Sequence, residues 1–189
     1  FLIDSTGTPQ RFENACQGGP IKPRLDIAKK VLHRGLRETI ISLFDQGVSG
    51  AALVGGTALA GFYAGHRVSD DIDLFVKDAD SFKSLSLAVE NLSNIGAVKV
   101  KQIQSSKQFS KSLYEHHGRQ FTIDIVLDSQ FHKVAQLALA GRIKIGTPYD
   151  LLRMKMATLV SRCSEKDLYD LIWLFHYFPQ MELTDKITS

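Results

Sequence analysis

The sequence predicts an α/β protein (α+β in some schemes), with a mixed central sheet flanked by helices and a helical C-terminal tail. Two observations predict this class. Segments with helical and strand periodicity follow the order helix, strand, helix, strand, helix, several strands and helices. The residues of 71–76 and 120–127 alternate between apolar and polar, as in strands with one buried face.

The individual elements follow from the same patterns. Apolar residues recur every three or four positions from Leu25 to Leu43, which predicts one amphipathic helix ending near Asp45. Thr147-Pro148 and Ser164 are expected to begin the two final helices, because these residues favour helix N-termini. The other predicted elements are strands at 51–54, 71–76, 97–104, 109–115, 120–127 and 143–145 and helices at 57–64, 82–92 and 131–140.

Composition narrows the class of protein. The chain has 189 residues, of which 44% are hydrophobic and 23% charged, and this balance is typical of a globular protein. Two cysteines, Cys16 and Cys163, are too few for a disulfide framework, and no apolar run approaches the roughly 20 residues of a membrane span. We therefore expect a cytoplasmic protein without a membrane segment or signal peptide. We expect an irregular N-terminal arm at 1–23, a core at 24–146 and a helical extension at 147–189 packed on that core.

Carboxylates stand on two predicted strands where a structural core would not favour them. Asp71 and Asp73 share one face of their strand, roughly 7 Å apart. Asp124 lies in the middle of the strand at 120–127. Buried like charges are costly unless a metal ion or a cation compensates them. If the two strands are neighbours, these carboxylates converge into an oxygen-rich site of the kind that selects Mg²⁺ or Mn²⁺.

A glycine turn precedes the acidic strand. Gly55-Gly56-Thr57 connects the strand at 51–54 to the next helix. Glycines permit close approach of the backbone, and N–H groups at a helix start attract anions. Such a turn also has purely steric uses, but its position one short helix before Asp71 favours a site for a nucleoside triphosphate and its metal.

These residues belong to a stretch that resembles a known family. "LVGGTALAGFYAGHRVSDDIDLFV" is similar to the signature of nucleotidyltransferase-fold proteins of the AbiEii/AbiGii toxin type, and "KMATLVSRCSEKDLYDL" resembles a later block of that family. The resemblance implies the nucleotidyltransferase fold, with 24–146 as the catalytic core. It also implies transfer of a nucleoside monophosphate from an NTP to an acceptor, with release of pyrophosphate. Some members are toxins with a cognate antitoxin, and RNA acceptors, tRNA among them, are implied by related branches.

The resemblance also implies roles for particular residues. Asp71, Asp73 and Asp124 would hold Mg²⁺ or Mn²⁺, and Asp124 would be either a ligand or the base for the incoming hydroxyl. Lys155 would neutralise a phosphate and Asp167 would be a polar partner near the nucleotide, although a helix-start charge explains Asp167 equally well. The residues expected to contact the triphosphate are Gly55, Gly56, Thr57, Arg67 and Ser69.

Two other classes of function fit the sequence. One is a catalytically inactive module of the same fold that binds a nucleotide or a protein partner. The other is a sugar-nucleotide transferase that uses Asp71 and Asp73 for Mn²⁺.

His116, His117 and His132 are not expected to form a metal site, because adjacent strand residues point to opposite faces; a turn is the favoured interpretation. Arg162 is expected to share a cationic helix face with Lys155.

Overall fold

The computed structural model describes residues 21–48, 50–161 and 164–177. The expectations for the arm at 1–20, for Arg162 and for both cysteines lie outside these residues. The helices are α1 (Leu25–Val31), α2 (Arg34–Asp45), α3 (Gly55–Leu59), α4 (Ala79–Glu90), α5 (Ser129–Val134), α6 (Pro148–Ser161) and α7 (Glu165–Tyr177). A π-helical turn, Ala60–Ala64, continues α3, and a 3₁₀ segment, Asn91–Ile95, follows α4.

Within the described ranges, the strands form one seven-stranded mixed sheet, which confirms the predicted fold class. The strands are β1 (Ala51–Val54), β2 (Asp71–Val76), β3 (Val98–Ser105), β4 (Phe109–His116), β5 (Arg119–Leu127), β6 (Leu137–Ala140) and β7 (Ile143–Gly146). Their order is β3-β4-β5-β2-β1-β7-β6, and the pairs β2–β5 and β1–β7 are parallel while the others are antiparallel.

Alternation along β2 and β5 separates the core from the functional face of the sheet. Ile72 and Leu74 of β2 and Ile123 and Ile125 of β5 are buried in the hydrophobic core. The intervening side chains of both strands point to the other face and include the predicted acids. Because one face is fully apolar, the register of the β2–β5 pair is strongly specified, and this register also positions the acids.

Two of the predicted elements are wrong. The helix expected from Leu25 to Asp45 is divided into α1 and α2, because His33 adopts an extended conformation and caps α2, accepting a hydrogen bond from the backbone N–H of Leu36 on Nδ1 (3.1 Å). The helix expected at 131–140 ends at Val134, and β6 then pairs with β7. Gly141, with φ of 62°, makes the turn between β6 and β7. The sequence of β6 is a short apolar run without alternation of polar and apolar residues, so its pattern did not predict a strand.

The final two helices, α6 and α7, begin directly after their predicted capping residues. Thr147 and Asp150 exchange hydrogen bonds at the start of α6, with Thr147 Oγ1 donating to Asp150 Oδ2 (2.6 Å). Ser164 accepts from the backbone N–H of Asp167 (3.2 Å) at the start of α7. The described helices include none that is both long and apolar enough to cross a membrane.

Candidate active site

The predicted acids come together on the face of the sheet opposite the core. β2 and β5 are parallel neighbours, and Asp73 is the direct register partner of Asp124, while Asp71 is opposite Thr122. Adjacent strands lie about 4.8 Å apart. The convergence that the sequence predicted for neighbouring strands is therefore present, and Asp71, Asp73 and Asp124 all line one cleft of about 340 Å³.

Asp73 lies at the electrostatic centre of this group. Burial, followed by the nearby carboxylates Asp124 and Asp71, raises the pKa of Asp73 to about 7, against a smaller opposing effect of Lys155 and Lys111. Local cations therefore do not compensate the charge of Asp73, and a bound cation would favour its ionised form.

The neighbouring acids are each held through one oxygen. Asp124 Oδ2 accepts a hydrogen bond from Lys111 Nζ (2.7 Å), and Asp71 Oδ1 accepts one from Thr122 Oγ1 (2.8 Å). Asp124 Oδ1 is buried and has no hydrogen-bond partner among the described residues. A buried carboxylate oxygen without a partner is costly. These oxygen donors, with one buried oxygen unsatisfied, fit a hard divalent cation such as Mg²⁺ or Mn²⁺.

The glycine turn forms the adjoining wall of the cleft, and the geometry requires both glycines. Gly55 has φ of 69°, and a Cβ atom there would overlap the Asp73 carboxylate. A Cβ atom on Gly56 would overlap the Arg67 guanidinium. The backbone at the start of α3 therefore approaches the acidic centre more closely than any side-chain-bearing residue permits.

Thr57 and Ser69 connect this turn to the acidic strand. Thr57 is fully buried, and its hydroxyl hydrogen-bonds with Ser69 Oγ (2.9 Å) and with the backbone carbonyl of Asp71. Ser69 lines the cleft, whereas Thr57 lies behind the cleft wall. The structure thus positions Thr57 to fix the turn relative to β2, and Ser69 as the hydroxyl on the cleft side.

A second polar group, which we call the ion network, consists of His66, Arg67, Lys155, Asp167 and Asp170. Arg67 donates two hydrogen bonds to Asp170, from Nε to Oδ1 (2.6 Å) and from Nη2 to Oδ2 (2.7 Å). Lys155 Nζ lies 2.7 Å from both Asp170 Oδ2 and Asp167 Oδ1, and His66 Nε2 lies 2.8 Å from Asp170 Oδ1. The network joins the segment before β2 to α6 and α7.

The ion network is compensated internally. Asp170 is fully buried, which opposes its ionised form, but hydrogen bonds from Arg67, His66 and Lys155 outweigh burial and hold the pKa of Asp170 well below its usual range. Arg67 and Lys155 line the cleft with their charges already paired to carboxylates. If Arg67 and Lys155 contact phosphate as predicted, Asp170 holds both side chains in place for that contact.

Sequence reasoning missed three residues of this region. Asp170 follows Asp167 by one helical turn, and its position in "KDLYDL" was visible, but its partners His66 and Arg67 are more than 100 residues distant along the chain. Lys111 and Lys166 also line the cleft. Lys111 is the register partner of Asp124, a pairing that only the strand order reveals.

The fold and this cleft define an α/β protein of the nucleotidyltransferase class. The family model described as "Nucleotidyl transferase AbiEii toxin, Type IV TA system" matches residues 43–188. The chain therefore belongs to that family, as its sequence motifs indicated, and the prediction of the family is confirmed. No curated protein sequence matches the chain.

Solved structures support the fold. JHP933 from Helicobacter pylori is similar over 73% of this chain and 63% of its own, with 16% identity and a TM-score of 0.52. The nucleotidyltransferase toxin MenT4 (Rv2826c) from Mycobacterium tuberculosis H37Rv is similar over 71% and 55%, with 15% identity and a TM-score of 0.54. The Megavirus polyadenylate synthase is similar over 90% and 34%, with 15% identity and a TM-score of 0.53. This chain thus spans between one third and two thirds of these three neighbours.

Proposed function

We propose that this chain is a metal-dependent nucleotidyltransferase that moves a nucleoside monophosphate from an NTP to an acceptor hydroxyl. The observation that carries the proposal is the register pairing of Asp73 with Asp124, beside Asp71 and the glycine turn, in one cleft. A group of carboxylates next to a backbone turn of this kind, with Asp73 at its centre uncompensated by nearby cations, suits a nucleoside triphosphate with its divalent metal.

We assign Asp71, Asp73 and Asp124 as the residues that hold Mg²⁺ or Mn²⁺. When bound, the metal would neutralise phosphate charge and lower the pKa of an attacking hydroxyl. Gly55 and Gly56 would present the backbone at the start of α3 to the triphosphate, and Ser69 would add its hydroxyl. Lys155 and Arg67, oriented by Asp170, would contribute positive charge to the cleft, with Lys166.

The proposed reaction is an in-line displacement at the α-phosphorus. The acceptor oxygen forms a bond to that phosphorus while the bond to the oxygen bridging the α- and β-phosphates breaks, so that pyrophosphate leaves with the bond electrons. The proton of the acceptor hydroxyl passes to solvent where Asp124 is a metal ligand, or to Asp124 Oδ1 where this oxygen, which has no hydrogen-bond partner among the described residues, is the base. Orientation of the reactants and stabilisation of the phosphate charge supply most of the rate enhancement in such transfers.

We also propose an acceptor and a biological role for the chain. A toxin role with a cognate antitoxin follows from the family, and an RNA acceptor such as tRNA is our preferred substrate because the cleft and the flanking strand β4 present Lys111 and Lys166 to a polyanion. We expect the chain to act in the cytoplasm, where NTPs and RNA are available. Residues 24–146 would be the catalytic core and 147–189 a helical extension that completes the cleft.

The test is transfer of label from each of the four α-³²P-NTPs to total RNA in the presence of Mg²⁺. We expect Asp73→Asn to lower the rate by at least about 10³-fold, because it removes a charge needed for the metal and the transition state. Asp80→Asn, an exposed aspartate of α4, is the matched control and should retain the wild-type rate. Folding of both variants is checked by thermal unfolding.

Three outcomes separate the alternatives. Equal labelling by wild type and Asp73→Asn would overturn the assigned acidic centre. Tight Mg²⁺-dependent NTP binding without transfer to RNA, protein or small molecules would favour an inactive nucleotide-binding module. Binding of UDP-sugars in preference to NTPs would favour a sugar-nucleotide transferase. The toxin role predicts growth arrest on induced expression of the wild type but not of Asp73→Asn.

A further inference from the structure

A group of metal-binding residue types lies on the other face of the sheet. Glu38 of α2, His116 at the end of β4 and His117 in the following turn offer one ligand atom each, and these atoms all lie within 4.8 Å of one another. Side chains alternate along β4, so His116 points away from the face on which Lys111 meets the acidic cleft. This group, the histidine cluster, is therefore separate from the proposed active site.

The two histidines do not diverge as the strand pattern predicts. His117 has a left-handed φ of 53°, which ends the extended conformation immediately after His116. As a result the two imidazole rings stack, with centroids 4.2 Å apart and planes 17° from parallel. Glu38 Oε2 lies 2.8 Å from His117 Nε2 and 3.9 Å from His116 Nε2. A left-handed conformation is uncommon in residues other than glycine, and here it brings both Nε2 atoms to one carboxylate.

Surrounding contacts orient the ligand atoms. His116 Nδ1 lies 3.2 Å from the carbonyl oxygen of Gly35 and 3.3 Å from Thr39 Oγ1. A carbonyl only accepts, so Nδ1 carries the proton and Nε2 presents its lone pair toward Glu38. Arg34 Nε binds Glu38 Oε1 at 2.7 Å, which leaves Oε2 directed at the histidines.

We infer that Glu38, His116 and His117 form a binding site for a divalent transition-metal ion, with Zn²⁺ as the best match. Two imidazole nitrogens and one carboxylate oxygen are the donor set that zinc accepts, whereas Mg²⁺ prefers oxygen ligands and is expected in the cleft instead. The side chain of His117 is 41% exposed and that of Glu38 40%, so a fourth position would be open to water or to a further ligand. A bound ion would join α2 to the β4–β5 hairpin.

The test is calorimetric titration of the full chain with Zn²⁺. The substituted positions are His117 and Glu38, because His116 is buried and its replacement endangers folding. We expect His117→Ala and Glu38→Gln to weaken the tight site by more than about tenfold, since loss of a ligand exceeds loss of an outer contact. His176→Ala, an exposed histidine of α7, is the matched control and should bind like the wild type. Zn²⁺ should raise Tm in the wild type but not in the cluster variants.

Two further measurements assign the ion to this cluster. Asp73→Asn should retain the tight Zn²⁺ site, and its loss in that variant would place the ion in the cleft and overturn the inference. Co²⁺ substitution should give visible bands without a thiolate charge-transfer band, whereas such a band would assign the ion to Cys16 or Cys163. Equal Zn²⁺ affinity of wild type, His117→Ala and Glu38→Gln would likewise overturn it. None of these readouts depends on nucleotidyl transfer, so the inference and the proposed function fail or stand separately.

Discussion

Two groups of carboxylates, one lining the cleft and one that includes the buried Asp170 behind it, differ in how their charge is compensated. In the ion network, Asp170 receives hydrogen bonds from Arg67, Lys155 and His66, and its pKa is lowered. In the acidic centre, Asp73 faces other carboxylates, and its pKa is raised to about 7. The comparison teaches that burial alone does not mark a functional acid. A carboxylate that nearby cations compensate is suited to a structural role, and one that they leave uncompensated is a candidate for binding a cation.

The largest expected effect on stability comes from removing Asp170, the shared carboxylate of the ion network. Asp170→Ala leaves Arg67, Lys155 and His66 partly or fully buried without their shared carboxylate, and we expect it to lower the free energy of unfolding by about 3–5 kcal/mol. Urea unfolding at pH 7 measures this change. Asp26→Ala is the control, because its ion pair with Arg24 is exposed and should contribute little. A loss for Asp170→Ala as small as that of the control would contradict the structural role of the network.

A smaller effect is expected where the glycine turn meets the acidic centre. Gly55→Ala places a Cβ atom against the Asp73 carboxylate in a left-handed conformation, and we expect a loss of about 1–3 kcal/mol. Gly47→Ala is a matched control, because φ is similarly positive there (72°) but nothing lies near the added atom. The difference between the two variants, measured by thermal unfolding, isolates the contact with Asp73. Equal losses would mean that backbone conformation alone requires the glycine.

The smallest expected effect has the opposite sign and concerns the uncompensated group. A carboxyl whose pKa is higher in the folded than in the unfolded state costs stability as pH rises from about 4 through 7. In EDTA at pH 8, Asp73→Asn should therefore raise the free energy of unfolding by about 1–2 kcal/mol, less than the full pKa shift implies, because the Asn amide also loses hydration in the buried site. The gain should disappear near pH 4, and Mg²⁺ should remove it at pH 8 by stabilising the wild type.

Paired measurements with and without metal check this sign. Asp80→Asn serves again as the control, because its exposed position predicts little dependence on either pH or Mg²⁺. A destabilised Asp73→Asn variant in EDTA at pH 8 would show that the acidic centre is compensated within the chain, and the contrast between the two groups would not hold.

Sequence reasoning succeeded where a pattern is local. Alternation in 71–76 and 120–127 was sufficient to place Asp71, Asp73 and Asp124 on the faces of their strands, and Thr147 and Ser164 marked their helix starts. The mixed sheet followed from the order of elements. The sequence did not establish that β2 and β5 are neighbours; the convergence of the acids was predicted only on that assumption. The observed strand order places the two strands side by side.

The failures have physical causes of a different kind. His66 and Arg67, two of the partners of Asp170, are more than 100 residues distant in sequence, so no spacing rule brings them to it. The histidine cluster depends on one left-handed residue, His117, which the alternation rule for strands does not anticipate. The division of the first predicted helix depends on the extended backbone of His33, although the apolar period continues through it. The periodicity of apolar residues indicates which face of an element is buried, but it does not indicate where the helical conformation is interrupted.

The position of Asp170 on α7 has a practical consequence for work with fragments. A shortened chain that stops upstream of this helix would retain the sheet and its acids, yet Arg67 and Lys155 would lose the carboxylate that anchors them. Such a fragment would also lose the core side chains Leu171, Trp173 and Leu174, so we expect it to be less stable and to lack an ordered cleft. Any dissection of the protein should therefore keep residues 165–177 with the sheet.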